Sequence, residues 1–154
     1  MKSGTVMDSP IGLLTIVQEE ECLTEIRFGH HTNDLEQQKT PLLEQAVKEL
    51  TEYFDGKRKA FTLPMAPHGT PFQQKCWNAL LQIPYGETRT YGQQAVMLGN
   101  SKACRAVGMG NHHNPLPILI PCHRVVGANG KLTGYAGGLT IKETLLQIER
   151  MNHP

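Results

Sequence analysis

Long apolar runs are absent from this sequence of 154 residues. A helix that spans a membrane needs roughly 20 consecutive apolar residues, and no stretch comes close to that length. The opening residues 1–4, MKSG, do not begin the apolar segment of a secretory signal. Hydrophobic residues still make up 39% of the chain, which is enough for one or two packed cores. We therefore expect a globular protein located in the cytoplasm.

Cysteine is also scarce, and the few cysteines are scattered. The chain contains Cys22, Cys76, Cys104 and Cys122. No two of them form a CxxC pair, and no export signal accompanies them, so the pattern excludes both a disulfide framework and a compact cysteine-based zinc motif. We expect four free thiols.

Acidic residues are few in the second half of the chain. Residues 1–69 contain seven Lys/Arg and eleven Asp/Glu, a net charge of −4, whereas residues 70–154 contain eight and three, a net charge of +5. A basic domain favours a polyanionic partner such as nucleic acid, and an ordinary solvated surface is the alternative. The proline-containing stretch 64–69 is typical of a linker, which predicts one domain over 1–66 and a second over 70–154.

The first domain has the pattern of a small α+β unit. Residues 3–28 contain three short apolar clusters separated by turn residues, which predicts three antiparallel strands. Thr40 and Pro41 supply a cap and a first-turn proline for an amphipathic helix that ends near residue 55. Residues 61–63 predict one more strand. Nothing in this half indicates chemistry.

The second domain is predicted to be mainly helical. Thr70, Thr90 and Thr140 are each followed three residues later by Gln or Glu, which is the pattern of a capping box at the start of a helix. Ser101 can cap a further helix over 102–108. Short helices on either side of a Gly-Asn link are typical of a helix-turn-helix, with Arg105 long enough to reach a DNA groove. Close packing of two ordinary helices is the alternative.

Three reactive side chains follow the apolar segment 118–120, which is bounded by prolines and is expected to run extended through the core. They are Cys122, His123 and Arg124. Because an imidazole and a guanidinium beside a thiol favour the thiolate, the local electrostatics predict a nucleophilic Cys122, with an inert thiol as the alternative. Consecutive side chains of a strand point to opposite faces, so contact between Cys122 and His123 needs a bend or a bridging water.

A carboxylate near the end of the chain is a candidate partner for His123. The last predicted helix has a buried stripe formed by Ile141, Leu145 and Ile148, and Glu149 lies at the edge of that stripe. A carboxylate bonded to one ring nitrogen would orient the other towards a proton donor. The alternative is a half-solvated Glu149 without a partner.

Residues 114–125, NPLPILIPCHRV, closely resemble the active-site signature of the O6-alkylguanine-DNA alkyltransferases. The likeness extends from Thr70 to Glu149, and it includes the segments 84–88, 91–94, 103–108 and 135–138. Over residues 1–69 it is looser, and there the length and pattern fit the family's ribonuclease-H-like domain. The resemblance implies an α+β chain, with a small antiparallel-sheet domain followed by a mainly helical, winged-helix-like domain.

The resemblance also implies roles for individual residues. Cys122 is the alkyl acceptor, and Glu149, His123 and a water form the relay that activates it. Arg105 takes the place of the extruded guanine in the base stack. Tyr91 helps to rotate the nucleotide and donates a proton to the guanine ring as it leaves.

Further residues are placed at the DNA surface and around the pocket by the same resemblance. Asn114 is the hinge between the helix-turn-helix and the active-site loop. The DNA surface includes Thr90, Ala103, Ala106 and Gly108, and the pocket wall and lid include Val125, Tyr135, Ala136 and Gly137. Residue 136 is Ala where some relatives have Ser, so only main-chain donors can serve the guanine oxygen there.

The activity implied is direct-reversal DNA repair. The alkyl group of O6-alkylguanine, and of O4-alkylthymine, in double-stranded DNA moves irreversibly to Cys122, once per molecule. The damaged nucleotide must first be flipped out of the duplex. We expect a monomer that can cluster along DNA and that needs no metal or cofactor, since Cys22, His30, His31 and His68 lack the spacing of a zinc site.

Three other function classes compete with this interpretation. A damage sensor of the same fold would lack the acceptor cysteine, which Cys122 argues against. A cysteine hydrolase built on Cys122, His123 and Glu149 would form a thioester and turn over. A transcriptional regulator would bind one DNA sequence much more tightly than others.

Overall fold

The computed structural model describes residues 2–153. The chain divides into two compact units between His68 and Gly69, a boundary that lies inside the linker-like stretch 64–69. Within the described residues no helix has the length and apolar character needed to cross a membrane. The α+β class predicted from the sequence is confirmed.

The first unit is built on a four-stranded sheet. Its strands are β1 (Lys2–Met7), β2 (Leu14–Glu19), β3 (Cys22–Phe28) and β4 (Glu36–Gln37), arranged in the order β3-β2-β1-β4. The first three are antiparallel neighbours, as the apolar clusters predicted. The short β4 pairs with β1 in parallel, and it was not predicted because two residues are too few for a period-two pattern.

One helix, α1 (Pro41–Phe54), accompanies this sheet. The Thr40 side chain accepts a hydrogen bond from the Leu43 amide, so the predicted cap is confirmed. The predicted strand at 61–63 is wrong. The Thr62 amide and hydroxyl both donate to the carboxylate of the buried Glu49, at 2.8 and 2.6 Å, which takes the amide that a strand partner would need.

The second unit is mainly helical, as predicted. Its elements are α2 (Pro71–Leu81), β5 (Arg89–Thr90), α3 (Tyr91–Met97), α4 (Cys104–His112), a 3₁₀ turn (Cys122–Arg124), β6 (Val125–Val126) and α5 (Leu139–Asn152). β5 and β6 pair in parallel, with Thr90 opposite Val126. This pairing places the start of α3 beside the segment that leaves the 3₁₀ turn.

Two of the three predicted capping boxes are present. Thr70 and Thr90 each accept from the amide three residues on, and the Gln at that position bonds back to the cap amide. The box at Thr140 is wrong, because α5 already begins at Leu139. Gly138 precedes it with φ 99°, a conformation open to glycine that turns the chain into the helix two residues earlier than predicted.

The prediction for the helix after Ser101 is wrong at both ends. α4 starts at Cys104 without a side-chain cap and continues to His112. Its position is fixed by buried contacts instead: Gln94 and Asn111 exchange two amide hydrogen bonds of 2.9 and 2.7 Å. A β-carbon on Gly110 would come within 2.7 Å of the Cys76 sulfur, so α4 packs closely on α2 and α3.

Residues 118–120 do not run as an extended strand, contrary to the prediction. The segment turns, and Ile118 has a φ of 76°, which is unusual for a β-branched residue. The Asn114 side chain holds the turn, because it accepts from the Leu116 amide at 3.0 Å and donates to the Ile120 carbonyl at 2.8 Å. The turn leads the chain directly into Cys122.

Candidate active site

Cys122 is the first residue of the 3₁₀ turn Cys122–Arg124. A 3₁₀ helix has about three residues per turn, so successive side chains point in directions roughly 120° apart. Cys122 can therefore face one way while His123 and Arg124 both reach the same carboxylate, that of Glu149. The chain bends here, but within residues 2–153 His123 Nδ1 has no hydrogen-bond partner, so a bridging water between Cys122 and His123 stays a prediction.

Glu149 is almost completely buried and fully hydrogen-bonded. His123 Nε2 lies 2.6 Å from Oε2, and Arg124 donates from Nε to Oε1 at 2.8 Å and from Nη2 to Oε2 at 3.1 Å. The Gly86 amide donates to Oε1 at 3.2 Å. Burial raises the pKa of Glu149, but His123 and Arg124 outweigh that effect and hold the pKa at about 2.

The Glu149 contact decides which nitrogen of His123 can act as a base. An ionised carboxylate only accepts hydrogen bonds, so Nε2 carries the hydrogen. Burial lowers the pKa of His123 despite the adjacent carboxylate, so the imidazole is neutral and Nδ1 presents a lone pair. Nδ1 is buried and has no hydrogen-bond partner within residues 2–153. His123 is thus arranged to accept a proton at Nδ1.

The Cys122 thiol is neutral at rest, so the expectation of a thiolate is wrong. Burial raises its pKa to about 11, and this effect exceeds the opposing influence of the Asn114 hydrogen bond and the Lys142 charge. The two groups expected to favour the thiolate do not do so, because His123 is neutral and Arg124 is paired with Glu149. The thiol proton must therefore be removed during a reaction.

A small cavity lies beside Cys122. Its volume is about 20 Å³, and its lining consists of Tyr91, Gly108, Asn111, His112, Cys122, Gly134, Tyr135 and Ala136. A single water needs roughly 10–15 Å³ by this measure, whereas pockets for drug-sized ligands measure roughly 300–1,000 Å³. The cavity has room for about one water and must widen to admit a larger group.

Two family models match the chain on either side of the linker. The ribonuclease-like domain of 6-O-methylguanine DNA methyltransferase matches residues 4–67, and the DNA binding domain of 6-O-methylguanine DNA methyltransferase matches residues 71–151. The chain belongs to the 6-O-methylguanine DNA methyltransferase family. The resemblance drawn from the active-site signature is confirmed.

Individual relatives of this family resemble the chain over nearly its whole length. A constitutive methylated-DNA–protein-cysteine methyltransferase of Bacillus subtilis is 47% identical over 162 residues, which covers 99% of this chain and 98% of the relative. The methylated-DNA–protein-cysteine methyltransferase of Methanosarcina acetivorans is 48% identical over 149 residues, with 94% and 96% covered.

Solved structures give the same result for the fold. The crystal structure of the O6-methylguanine methyltransferase of Mycobacterium tuberculosis has a TM-score of 0.92 at 43% identity and covers 100% of this chain and 96% of that one. The structure of Mycobacterium tuberculosis OGT in complex with DNA has a TM-score of 0.90 at 45% identity, with 99% and 95% covered.

The structure brings only part of the predicted methyltransferase site together. Five of the predicted residues line the cavity: Tyr91, Gly108, Cys122, Tyr135 and Ala136. Asn114 contacts the thiol, and its hydrogen bond lowers the Cys122 pKa. Val125 is completely buried, and neither it nor the half-buried Gly137 lines the cavity.

The residues predicted at the DNA surface lie away from the cavity lining, apart from Tyr91 and Gly108. Arg105 and Ala106 are exposed on α4, and Ala103 immediately precedes that helix. The Thr90 hydroxyl is engaged as the cap of α3, where it accepts from the Gln93 amide. Their contacts with DNA stay predictions.

Lys142 is a buried residue of the site that the sequence analysis missed. It is fully buried, and its ammonium donates to the Val125 carbonyl at 2.6 Å and to the Thr133 carbonyl at 2.8 Å. The buried face of α5 is formed by Lys142, Leu145, Leu146 and Glu149. It is rotated about the helix axis by roughly one residue relative to the predicted apolar stripe, and it shares only Leu145 with that stripe. Lys142 lies two turns before Glu149, so helical spacing from that residue was the signal that pointed to it.

The residues considered as zinc ligands lie in the first unit. Among residues 2–153, no three His, Cys, Asp or Glu side chains are grouped closely enough to hold a metal ion. His68 lies 3.3 Å from the Glu19 carboxylate, while His30 and His31 are exposed. Nothing in the described geometry favours a metal site there.

Proposed function

We propose that this chain repairs alkylated DNA by moving the alkyl group of O6-alkylguanine, and of O4-alkylthymine, onto Cys122, once per molecule. The observation that carries the proposal is the 3₁₀ turn, which presents Cys122 beside a neutral His123 whose basic nitrogen is fixed by Glu149. Family membership supports the same activity, since the relatives are methylated-DNA–protein-cysteine methyltransferases.

The chemistry is a substitution at the alkyl carbon. A water that bridges Cys122 and His123 passes the thiol proton to Nδ1, and the Glu149 carboxylate stabilises the imidazolium that results. The sulfur attacks the alkyl carbon, the S–C bond forms as the C–O bond breaks, and the released electron pair enters the guanine ring. Tyr91 donates a proton to the ring, so guanine leaves as the neutral base.

One turnover per molecule follows from the product. A thioether has no carbonyl for water to attack, unlike the thioester of a cysteine hydrolase, so the cysteine is not regenerated. The small, exposed surface at the start of α4, with Arg105 on it, is the surface that meets the duplex. Flipping costs roughly a few kcal/mol, which Arg105 offsets by filling the place of the lost base.

Label transfer from DNA tests the proposal. Duplex DNA carrying radiolabelled O6-methylguanine is incubated in excess with the protein, and we expect label on the Cys122 peptide, one methyl per chain, with the mass of that peptide raised by one CH2 group. Cys122→Ser should take up no label. Repeated turnover, or label on another cysteine, would contradict the proposal and favour a different chemistry.

Arg105→Ala should separate flipping from chemistry. Without the Arg105 side chain to fill the place of the flipped base, transfer from duplex DNA should slow by roughly 10- to 1,000-fold, the equivalent of a few kcal/mol. Transfer from free O6-benzylguanine should stay close to the wild-type rate. Single-turnover rates on the two substrates measure the difference. Arg150→Ala removes a charge from an exposed position on α5 and should change neither rate. An equal loss on both substrates would remove Arg105 from the flipping role.

A further inference from the structure

Two hydrogen bonds of Thr133 hold the loop between β6 and α5 in place. The Thr133 carbonyl accepts from the buried ammonium of Lys142 at 2.8 Å. The Thr133 hydroxyl donates to the Tyr91 hydroxyl at 3.1 Å. Tyr91 is the first residue of α3, so this second bond joins the loop to a helix that is distant in the sequence.

Tyr91 and the residues that follow Thr133 both line the cavity beside Cys122. Gly134, Tyr135 and Ala136 follow Thr133 directly and line one side, while Tyr91 lines the cavity from α3. The volume of about 20 Å³ excludes a purine. The cavity must widen before a base can enter, and the Thr133–Tyr91 hydrogen bond joins the loop to the helix whose residues line it.

The two hydrogen bonds of Thr133 differ in the free energy needed to break them. Lys142 is fully buried, and its ammonium has the Val125 carbonyl as its other acceptor, so breaking the bond to Thr133 would leave a buried charged group with one acceptor fewer. The Thr133 and Tyr91 hydroxyls meet at an exposed position, where water replaces either partner at little cost. Opening therefore breaks the bond to Tyr91 and keeps the bond to Lys142.

We infer that Thr133 is a latch residue, which holds the lid segment 134–137 closed over Cys122 in DNA-free protein and gives up the Tyr91 hydroxyl when a flipped nucleotide enters. The inference rests on the proposed function for the identity of the nucleotide. It adds a positioning residue: Thr133 restricts access to the acceptor thiol, which is half-buried, until Tyr91 changes its partner.

Thiol labelling of DNA-free protein tests the latch. Iodoacetamide is added at mildly alkaline pH, and the rate of Cys122 modification is read from the Cys122 peptide by mass spectrometry, which separates it from the exposed Cys104. Thr133→Val keeps the shape of the side chain and removes the hydroxyl. Loss of one hydrogen bond should raise the labelling rate by roughly two- to tenfold. Tyr91→Phe should raise it by a similar factor.

The double variant and a matched control make the result specific. If the two hydroxyls act only through each other, Thr133→Val with Tyr91→Phe should label no faster than either single variant. Thr144→Val loses a comparable hydroxyl bond, to the Thr140 carbonyl at 2.9 Å, and should label at the wild-type rate. Unchanged labelling in Thr133→Val, or additive increases in the double variant, would overturn the latch.

Failure of the latch and failure of the proposed function give different results. The labelling assay contains no DNA, so it reports on the lid whether or not alkyl transfer occurs. If wild-type protein takes up no methyl group from O6-methylguanine duplex, the proposed function fails. If it does so while Thr133→Val labels like wild type, only the latch fails.

Discussion

Glu149→Gln should lower the single-turnover rate of alkyl transfer at pH 7 by roughly 100- to 10,000-fold, the usual contribution of a positioned general base. The amide cannot stabilise an imidazolium as a carboxylate does, and its NH2 group can donate to His123 Nε2 and place the hydrogen on the wrong nitrogen. Because the Cys122 pKa is about 11, very little thiolate exists at pH 7 without that base. The rate is measured with O6-methylguanine duplex in a rapid-quench experiment.

The pH profile distinguishes a lost relay from a loosened fold. Below a thiol pKa of about 11, the thiolate fraction rises about tenfold per pH unit, so Glu149→Gln should gain rate at that slope as the pH rises. Wild type should climb less steeply, since His123 supplies the base. His123→Ala should lower the single-turnover rate by a similar factor. The double variant, His123→Ala with Glu149→Gln, should be only slightly slower than either single variant. Parallel profiles for wild type and Glu149→Gln would contradict the relay.

Arg124→Met should lower the free energy of unfolding by about 3–5 kcal/mol, the usual cost of removing one partner from a buried ion pair. Arg124 provides two of the hydrogen bonds to the Glu149 carboxylate and donates a third to the Ile83 carbonyl at 2.7 Å. Without it, a buried carboxylate is left with a neutral imidazole and one amide. Urea unfolding measures the loss. Arg124→Lys keeps the charge but not the planar set of guanidinium donors, so its free energy of unfolding should lie between those of wild type and Arg124→Met.

The matched control for this prediction is an exposed arginine. Arg89 pairs with Glu87 at 3.0 Å, and both side chains are about a third or more exposed, so Arg89→Met should change stability by at most about 1 kcal/mol. Equal losses for Arg89→Met and Arg124→Met would contradict the importance of burial. If Arg124→Met does not fold, the Arg124→Lys value and a cycle with Glu149→Gln still test the pair.

The same ion pair predicts how stability depends on pH. The Glu149 pKa of about 2 in the folded chain lies below its ordinary value of 4.5. Its ionised form therefore stabilises the fold above pH 4.5, and that contribution is lost as the pH falls towards 2. Arg124→Met raises the folded pKa, so the variant should unfold at a higher pH than wild type in an acid titration.

Local signals in the sequence were sufficient for most of the secondary structure. The cap at Thr40 and the boxes at Thr70 and Thr90 are confirmed because each depends on residues within one helical turn. The predictions that failed were decided by side-chain contacts and backbone conformations that the local pattern did not show. Glu49 draws Thr62 away from a strand, and Asn114 folds residues 116–120 into a turn.

The candidate site was likewise predicted only in part from the sequence. The signature around Cys122 predicted the acceptor, and the pattern of the last helix offered Glu149 as a partner for His123, which the 2.6 Å contact bears out. The state of the thiol was predicted wrongly, because adjacency in sequence says which charges are near but not which are already paired. Lys142 was missed because a lysine in a helix is normally solvated.

By itself the sequence determined which residues could react, where α1, α2 and α3 begin, and the family to which the chain belongs, since each depends on residue identity or on spacing within one turn. The tertiary structure alone decided that Glu149 binds both His123 and Arg124, that the Cys122 thiol is neutral, and that Thr133 closes the cavity against Tyr91. The Glu149 and Thr133 contacts join groups 25 or more residues apart, and the neutral thiol depends on burial that no local pattern shows. Burial and ion pairing set the pKa values of these groups, and neither can be deduced from the residues adjacent in the sequence.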